Sequence, residues 1–312
     1  MNAAHPAEIE GGVLTVDKPA GMTSHDVVAR VRRLYGTKQV GHTGTLDPNA
    51  TGVLPVMVGR AVKASEYLTS EKKTYEALLR LGVTSDTEDV WGVLRETGAP
   101  LPSPEQVTAA ARRFTGEILQ IPPMYSALKR GGRKLCDLAR AGIEVERAAR
   151  PVTVHALDVS PVDAGKGLYA LTVTCSKGTY IRTLCADIGK ELGCGGVMAA
   201  LRRTACGAFT VDDAHTPEEL ERMTEAERFS VLRPTEELFS DLPELSLPPF
   251  QRKLCASGCA ISLKKLGADF PEGALLRLYG GGKFFALGKV GLCENGPAVK
   301  AVKQFYFFEK DD

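Results

Sequence analysis

Apolar residues along the chain recur with two periods, and the switches between them predict alternating strands and helices. Val13-Leu14-Thr15-Val16 reads as a short strand that runs into the turn Asp17-Lys18-Pro19-Ala20-Gly21. Ser24 is expected to cap a helix whose apolar stripe is Val27, Val28, Val31 and Leu34, with Arg30, Arg32 and Arg33 on its other sides. Over Tyr75–Leu81, alternation puts Tyr75, Ala77, Leu79 and Leu81 on one strand face; Leu168–Cys175 repeats the pattern with Tyr169, Leu171, Val173 and Cys175. Ser103-Pro104-Glu105-Gln106 is a capping box with proline at the first helical position, opening a helix expected to end near Gly116. A further helix is expected from about Thr179-Tyr180, with Ile181, Leu184, Cys185, Ile188 and Leu192 buried and Gly193 as its stop. Thr216-Pro217-Glu218-Glu219 opens another, acidic helix.

Between Ile121 and Arg150 the apolar period weakens while glycines and basic residues accumulate, which reads as an exposed excursion from the fold. The proline-rich stretch from Leu242-Pro243 to Pro248-Pro249 reads as a domain boundary. Beyond it come short β segments at Ala274–Tyr279, Lys283–Leu292 and Val299–Phe308, with Gly280-Gly281-Gly282 as a hairpin turn. The expected architecture is α+β: a mixed catalytic core over residues 1–242, a basic insertion at about 121–150, and a small β-rich, barrel-like unit at 246–312.

Composition narrows the class. At 312 residues, 44% hydrophobic and 25% charged, the chain is globular and long enough for one large and one smaller core. No apolar run approaches the ~18 residues that suggest a spanning helix, and Met1–Gly12 lacks the basic and apolar regions of a signal peptide. A cytoplasmic protein with no membrane association is expected. The eight cysteines are scattered without a Cys-x-x-Cys pair, so reduced thiols are expected and no metal site. The net charge of +1 conceals an uneven distribution. Seven Lys/Arg lie between Lys129 and Arg150 against three acids, whereas acids dominate from Asp212 to Glu244. A phosphate backbone senses such a face rather than the total.

The candidate chemistry starts from Gly41-His42-Thr43-Gly44-Thr45-Leu46-Asp47-Pro48-Asn49-Ala50-Thr51-Gly52. One carboxylate, Asp47, sits among glycines, threonines and a proline, a composition suited either to a rigid mount for a reactive group or to an ordinary capped turn. Three other constellations accompany it: Lys72-Lys73-Thr74-Tyr75 at a strand start, the acidic turn Ser85-Asp86-Thr87-Glu88-Asp89, and Ser176-Lys177-Gly178-Thr179-Tyr180-Ile181-Arg182-Thr183. Arg182 falls in the first turn of a helix, where the macrodipole disfavours a cation, so a dedicated anionic partner is expected. No phosphate loop, dinucleotide fingerprint or metal constellation is present in the sequence.

Together these stretches resemble the TruB family of tRNA pseudouridine synthases. The resemblance rests on Asp17-Lys18-Pro19-Ala20-Gly21-Met22-Thr23-Ser24, the Gly41–Pro48 run, Lys73-Thr74-Tyr75, Pro123-Met124-Tyr125-Ser126-Ala127-Leu128-Lys129, Gly178-Thr179-Tyr180-Ile181-Arg182 and Leu201-Arg202-Arg203-Thr204, in family order. It implies a mixed-sheet pseudouridine synthase domain with a basic thumb and, less specifically, a C-terminal PUA-like RNA-binding domain. It implies conversion of uridine 55 in the T loop of tRNA to pseudouridine, without a cofactor or a protein partner, by a monomer. Asp47 would attack or otherwise activate the uridine and Arg182 would hold Asp47 ionised. Tyr75 would stack on the flipped uracil or serve proton transfer. Tyr180 and Leu201 would line the pocket, and Asp89 would contact the substrate there. His42 would fill the space the extruded base leaves in the RNA loop, offsetting a cost of a few kcal/mol. Lys18, Lys129 and Arg133 are further expected RNA contacts, the last two on the thumb. Cys136 stands where the family often has tyrosine, so no aromatic packing is expected there. Two other readings are a guide-RNA-dependent synthase subunit and an RNA-binding or RNA-folding factor.

Overall fold

The computed structural model describes residues 11–67, 72–126, 128–294 and 296–307. The polar stretch before Gly11 and the expected end of the last β segment at Phe308 lie outside them. A nine-stranded sheet runs in the order Gly12–Lys18, Thr51–Val58, Gly196–Cys206, Lys73–Leu81, Leu168–Cys175, Arg150–Asp163 and Gly116–Gln120, with Val40–His42 and Phe209–Thr210 paired beside this path. It is mixed because Thr51–Val58 runs parallel to Gly196–Cys206, with Arg203 opposite Gly52, while the other pairings are antiparallel.

The strand faces follow the alternation. Tyr75, Ala77, Leu79 and Leu81 are buried in one core with Tyr169, Leu171, Val173 and Cys175. The helices Ser24–Leu34, Pro104–Arg112 and Ile181–Glu191 bring Val27, Val28, Val31, Val107, Ala111, Ile181, Leu184, Cys185 and Ile188 into that same core. The Val53–Val58 run has no alternation because both of its faces are covered. Leu54, Val56 and Val58 enter the first core, whereas Val53 and Met57 enter a second.

That second core joins the two halves of the chain. A five-stranded sheet, ordered Glu244–Ser246, Leu275–Gly280, Lys283–Cys293, Gly296–Gln304 and Ile261–Ser262, has its own core around Leu276, Leu278, Phe285 and Val299. Its Leu287, and Phe305 just past the Gly296–Gln304 strand, nevertheless pack with Phe239, Val13, Val53, Met57 and Phe209 beneath the large sheet. The hairpin between Leu275–Gly280 and Lys283–Cys293 turns at Gly281 and Gly282, both with positive φ.

Several boundaries differ from the periodicity. Thr23, not Ser24, is the first cap: its side chain accepts from Asp26 N while Asp26 accepts from Thr23 N, so the box is set by the residue one position earlier. The helix opened by Ser103 stops at Arg112, because Gly116 (φ 99°) already starts a strand. The excursion holds a small hairpin, Lys129–Arg130 with Arg133–Lys134, and a helix Leu135–Arg140 with Leu135 and Leu138 buried. The proline-rich stretch is not a bare connection, since Glu244–Ser246 forms the parallel edge of the second sheet.

The parallel contact between Thr51–Val58 and Gly196–Cys206 depends on Gly52. Its φ is 99°, and a Cβ there would lie 2.1 Å from the Arg203 carbonyl oxygen. Gly52→Ala is therefore expected to cost about 2–4 kcal/mol by combining a disfavoured backbone with a clash, measured as a lower urea midpoint.

Candidate active site

The loop carrying Asp47 is fixed from below before the carboxylate makes any contact. Ser24, buried at the start of its helix, accepts from Leu46 N at 3.0 Å and donates to Leu46 O at 3.2 Å. Thr43 N donates to Pro55 O, Ala50 N to Asp47 O, and Gly21 N to Pro48 O. Lys18 is fully buried, and its ammonium donates to Pro19 O, Met22 O and Pro48 O at 2.9, 2.7 and 2.9 Å. Burial lowers that ammonium to about 8, against the raising influence of Asp47. Its three N–H groups meet carbonyl oxygens, so Lys18 joins the Asp17–Gly21 turn to the residue after Asp47.

Arg182 gathers the residues around Asp47. Its side chain is buried, and Nε approaches Asp47 Oδ2 at 2.9 Å while Nη2 donates to Asp47 Oδ1 at 3.4 Å. The other guanidinium contacts are Thr87 O at 3.1 Å, Tyr125 O at 2.9 Å and, more distantly, Asp89 Oδ2 at 3.8 Å. Asp47 keeps 42% of its side-chain area accessible, so its carboxylate opens on one side. The protein crowding its other sides pushes that carboxyl above the ordinary value; Arg182 opposes the rise and Asp89 adds to it. Arg182 favours the ionised form, but burial outweighs it. Asp89 is itself buried, accepting from Thr87 Oγ1 at 2.6 Å and Trp91 N at 3.0 Å.

Tyr75 sits on the next strand, opposite Arg203 in the ladder, and Leu201 lies opposite Ala77. Burial pushes the Tyr75 hydroxyl up to about 12, and Arg203 hydrogen-bonds to it. At neutral pH this phenol is a neutral donor rather than a base. Tyr180 is half-buried at the start of the Arg182 helix, where its backbone is gripped by the Gln120 amide: Gln120 Nε2 donates to Tyr180 O at 3.0 Å and Tyr180 N donates to Gln120 Oε1 at 2.8 Å. His42 stacks edge-on with His25 at 5.6 Å, and burial, with His25 and Arg203 nearby, lowers its imidazole so that it is neutral at pH 7. Lys129 and Arg133 are exposed on the small hairpin, four and eight positions after Tyr125, whose carbonyl meets Arg182.

Residues 32–181 match the model of the TruB family pseudouridylate synthase (N terminal domain), and residues 182–240 match that of the tRNA pseudouridylate synthase B C-terminal domain. The chain is 46% identical over 285 residues to the tRNA pseudouridine synthase B of Aromatoleum aromaticum, covering 91% of this chain and 90% of that one. The chain belongs to the TruB family. It is 45% identical over 282 residues to the enzyme of the same name from Ralstonia nicotianae, covering 90% and 89%. Among solved structures it is similar to a Cbf5-Nop10-Gar1 complex, with a TM-score of 0.75, 27% identity and coverage of 96% of this chain and 86% of that one. An H/ACA RNP bound to a substrate RNA containing 2'-deoxyuridine aligns with a TM-score of 0.73 at 25% identity over 96% and 86%. The fold is thus the mixed α+β pseudouridine synthase fold.

Three supporting residues of this TruB-family site had no assigned role at the level of sequence: Ser24 beyond a helix cap, Gln120, and above all Arg203. Arg203 is fully buried; its Nε donates to Val53 O at 2.6 Å and its Nη2 to Gly44 O at 2.9 Å. It therefore ties the Asp47 loop to Tyr75 from one point. Its sequence signal was its place in Leu201-Arg202-Arg203-Thr204, beside the half-buried Arg202, which pairs with Asp17 at 2.7 Å. Arg203→Lys keeps the charge but loses the planar fork. It is expected to lower the single-turnover rate by about 100-fold with little change in KM, as misplacement of reacting groups does; rapid-quench kinetics on tRNA checks it.

Proposed function

We propose that this chain isomerises uridine 55 in the T loop of tRNA to pseudouridine, with Asp47 as the reacting carboxylate. The C1′–N1 bond breaks, a C1′–C5 bond replaces it, the C5 proton leaves and N1 gains one, so nothing is oxidised and no cofactor is needed. The observation that carries the reading is one carboxylate opening outward from a loop pinned on its other sides, backed by an arginine held by two carbonyls. A lone reacting aspartate suits isomerisation better than hydrolysis, which commonly needs a second carboxylate for acid–base work. The relatives named tRNA pseudouridine synthase B support the substrate.

The remaining parts take supporting roles in this proposal. Tyr75, Tyr180, Leu201 and Asp89 form the uracil pocket, and His42, a neutral half-buried ring, fills the space of the extruded base. Residues 121–150 form a thumb over the RNA. Its hairpin sets Lys129 opposite Lys134 and Arg130 opposite Arg133, like charges that disfavour the ladder unless an anion lies against it. Residues 1–242 are the catalytic unit and 246–312 a PUA-like RNA-binding unit, acting in the cytoplasm as a monomer. The likeness to Cbf5 in complexes with Nop10 supports a second reading, a guide-dependent subunit, at 27% identity against 46% for the first.

Unmodified tRNA tritiated at uridine C5 separates these. Wild type is expected to release tritium unaided; Asp47→Asn is expected to release none while still binding. Release only with added guide RNA would favour the second reading, and release by the variant would remove Asp47 from the chemistry. Because the ionised carboxylate is the reactive form and burial raises its pKa, the wild-type rate is expected to fall on the acid side above the ordinary carboxylate range. In a separate binding experiment, replacing Lys129 and Arg133 by alanine is expected to flatten the slope of log K against log salt by about 1.4–1.8, two phosphate contacts' worth. An unchanged slope would show that the hairpin is not a phosphate clamp.

A further inference from the structure

The turn between Ser85 and Val93 is held far more tightly than its exposed position requires. Asp86 Oδ1 accepts from Val93 N at 2.7 Å, Ser85 Oγ accepts from Thr87 N at 3.2 Å, and Asp89 Oδ1 accepts from both Thr87 Oγ1 and Trp91 N. Val90 N and Met198 N donate to Met198 O and Glu88 O, stitching the turn to the central strand. Glu88 is the one non-glycine residue with positive φ among the described residues, at 63°, and Thr183 Oγ1 donates to its carboxyl. Gly92 has no room for a side chain, since a Cβ would lie 2.3 Å from both Asp86 Oδ1 and Thr87 Oγ1. A left-handed residue of this kind persists only where its surroundings over-determine it, and such positions cluster at functional sites.

What this rigid turn presents to solvent is apolar. Trp91 is 48% exposed and Val93 62% exposed. Trp91 is the only tryptophan in the sequence. It stands three links from the reacting carboxylate: its backbone N–H is held by Asp89, whose other oxygen faces Arg182, and Arg182 pairs with Asp47. Thr87 O, four residues before Trp91, is bonded directly to the same guanidinium. An indole left half-exposed at the margin of a site for a flipped base has one class of partner that suits it, the π-face of a neighbouring base.

We infer that Trp91 is a stacking platform for a nucleobase that flanks the target uridine in the RNA loop. The inference rests on the proposed tRNA reading and adds a residue that sets affinity for the open loop. Rigidity matters here because a platform already in place loses little conformational freedom on binding. Val93 widens the apolar margin beside it.

The single tryptophan makes the test direct. A T stem-loop RNA is titrated into Asp47→Asn, which binds without turnover, while tryptophan emission is followed and occupancy is measured independently by filter binding. Emission is expected to change saturably with occupancy. Trp91→Ala is expected to raise KM for tRNA about 10-fold, the loss of one stacked base, with the effect on KM rather than kcat and an unchanged circular-dichroism melt; Trp91→Phe is expected to recover most of it. Unchanged emission at full occupancy, or a KM for Trp91→Ala equal to wild type, overturns the inference. The two proposals fail separately: tritium release with unmoved emission removes only the platform. Emission change and weakened binding without any release remove the isomerase reading and leave the platform standing.

Discussion

The structure turns on a guanidinium buried at the start of a helix. A cation there is opposed twice, by the helix macrodipole and by loss of water, so it persists only where acceptors surround it. Arg182 finds them in three stretches far apart in sequence: the Asp47 carboxylate, Thr87 O beside Asp89, and Tyr125 O. The need of one charge for partners is what draws the loop, the acidic turn and the start of the excursion to one place. The same arrangement leaves Asp47 with one open side, which is the geometry a reacting group needs.

Two more buried cations repeat the device with neutral partners. Lys18 reaches three carbonyl oxygens and Arg203 at least two, and neither has a carboxylate within hydrogen-bonding distance among the contacts described above. Backbone carbonyls in a loop without regular pairing are costly to bury unless something donates to them. Here long cationic side chains from neighbouring strands do so, which lets a loop outside any ladder be as well fixed as the strands on either side.

How much of this could be read from the sequence depends on how local each cause is. Strands such as Lys73–Leu81 and Leu168–Cys175 were legible because one face is buried and the period of two survives in the residue types. The run around Asp47 was conspicuous because its glycines and proline are unusual together, but composition suited a capped turn as well as a rigid mount, and only the family resemblance joined it to distant partners. What was missed had non-local causes. Gln120 reads as a strand residue until Tyr180 is folded against it, sixty positions away in sequence. Arg203 looks like Arg202, and only the pairing opposite Tyr75 turns it inward. Nothing local in the sequence announces that Lys18 is buried with its ammonium on three carbonyl oxygens, those of Pro19, Met22 and Pro48. The misplaced helix cap has a smaller cause, since Thr23 and Ser24 are equally able to cap and only the position of Asp26 decides between them.

The apolar cluster shared by the two sheets has a bearing on how the molecule comes apart. Leu287 of the smaller sheet, and Phe305 just past its Gly296–Gln304 strand, lie with Phe239 against Val13, Val53 and Met57, and Val53 and Met57 flank, on the same strand, the residues that carry the Asp47 loop. Phe239, Phe284 and Phe305 bring their ring centroids within 5.4–6.1 Å of one another. Opening the seam between the sheets would uncover aromatic surface on one side and the underside of the Thr51–Val58 strand on the other. The two sheets are therefore coupled in unfolding, and cutting the chain at the prolines near 243–249 would leave the large sheet with a wet, unsupported floor.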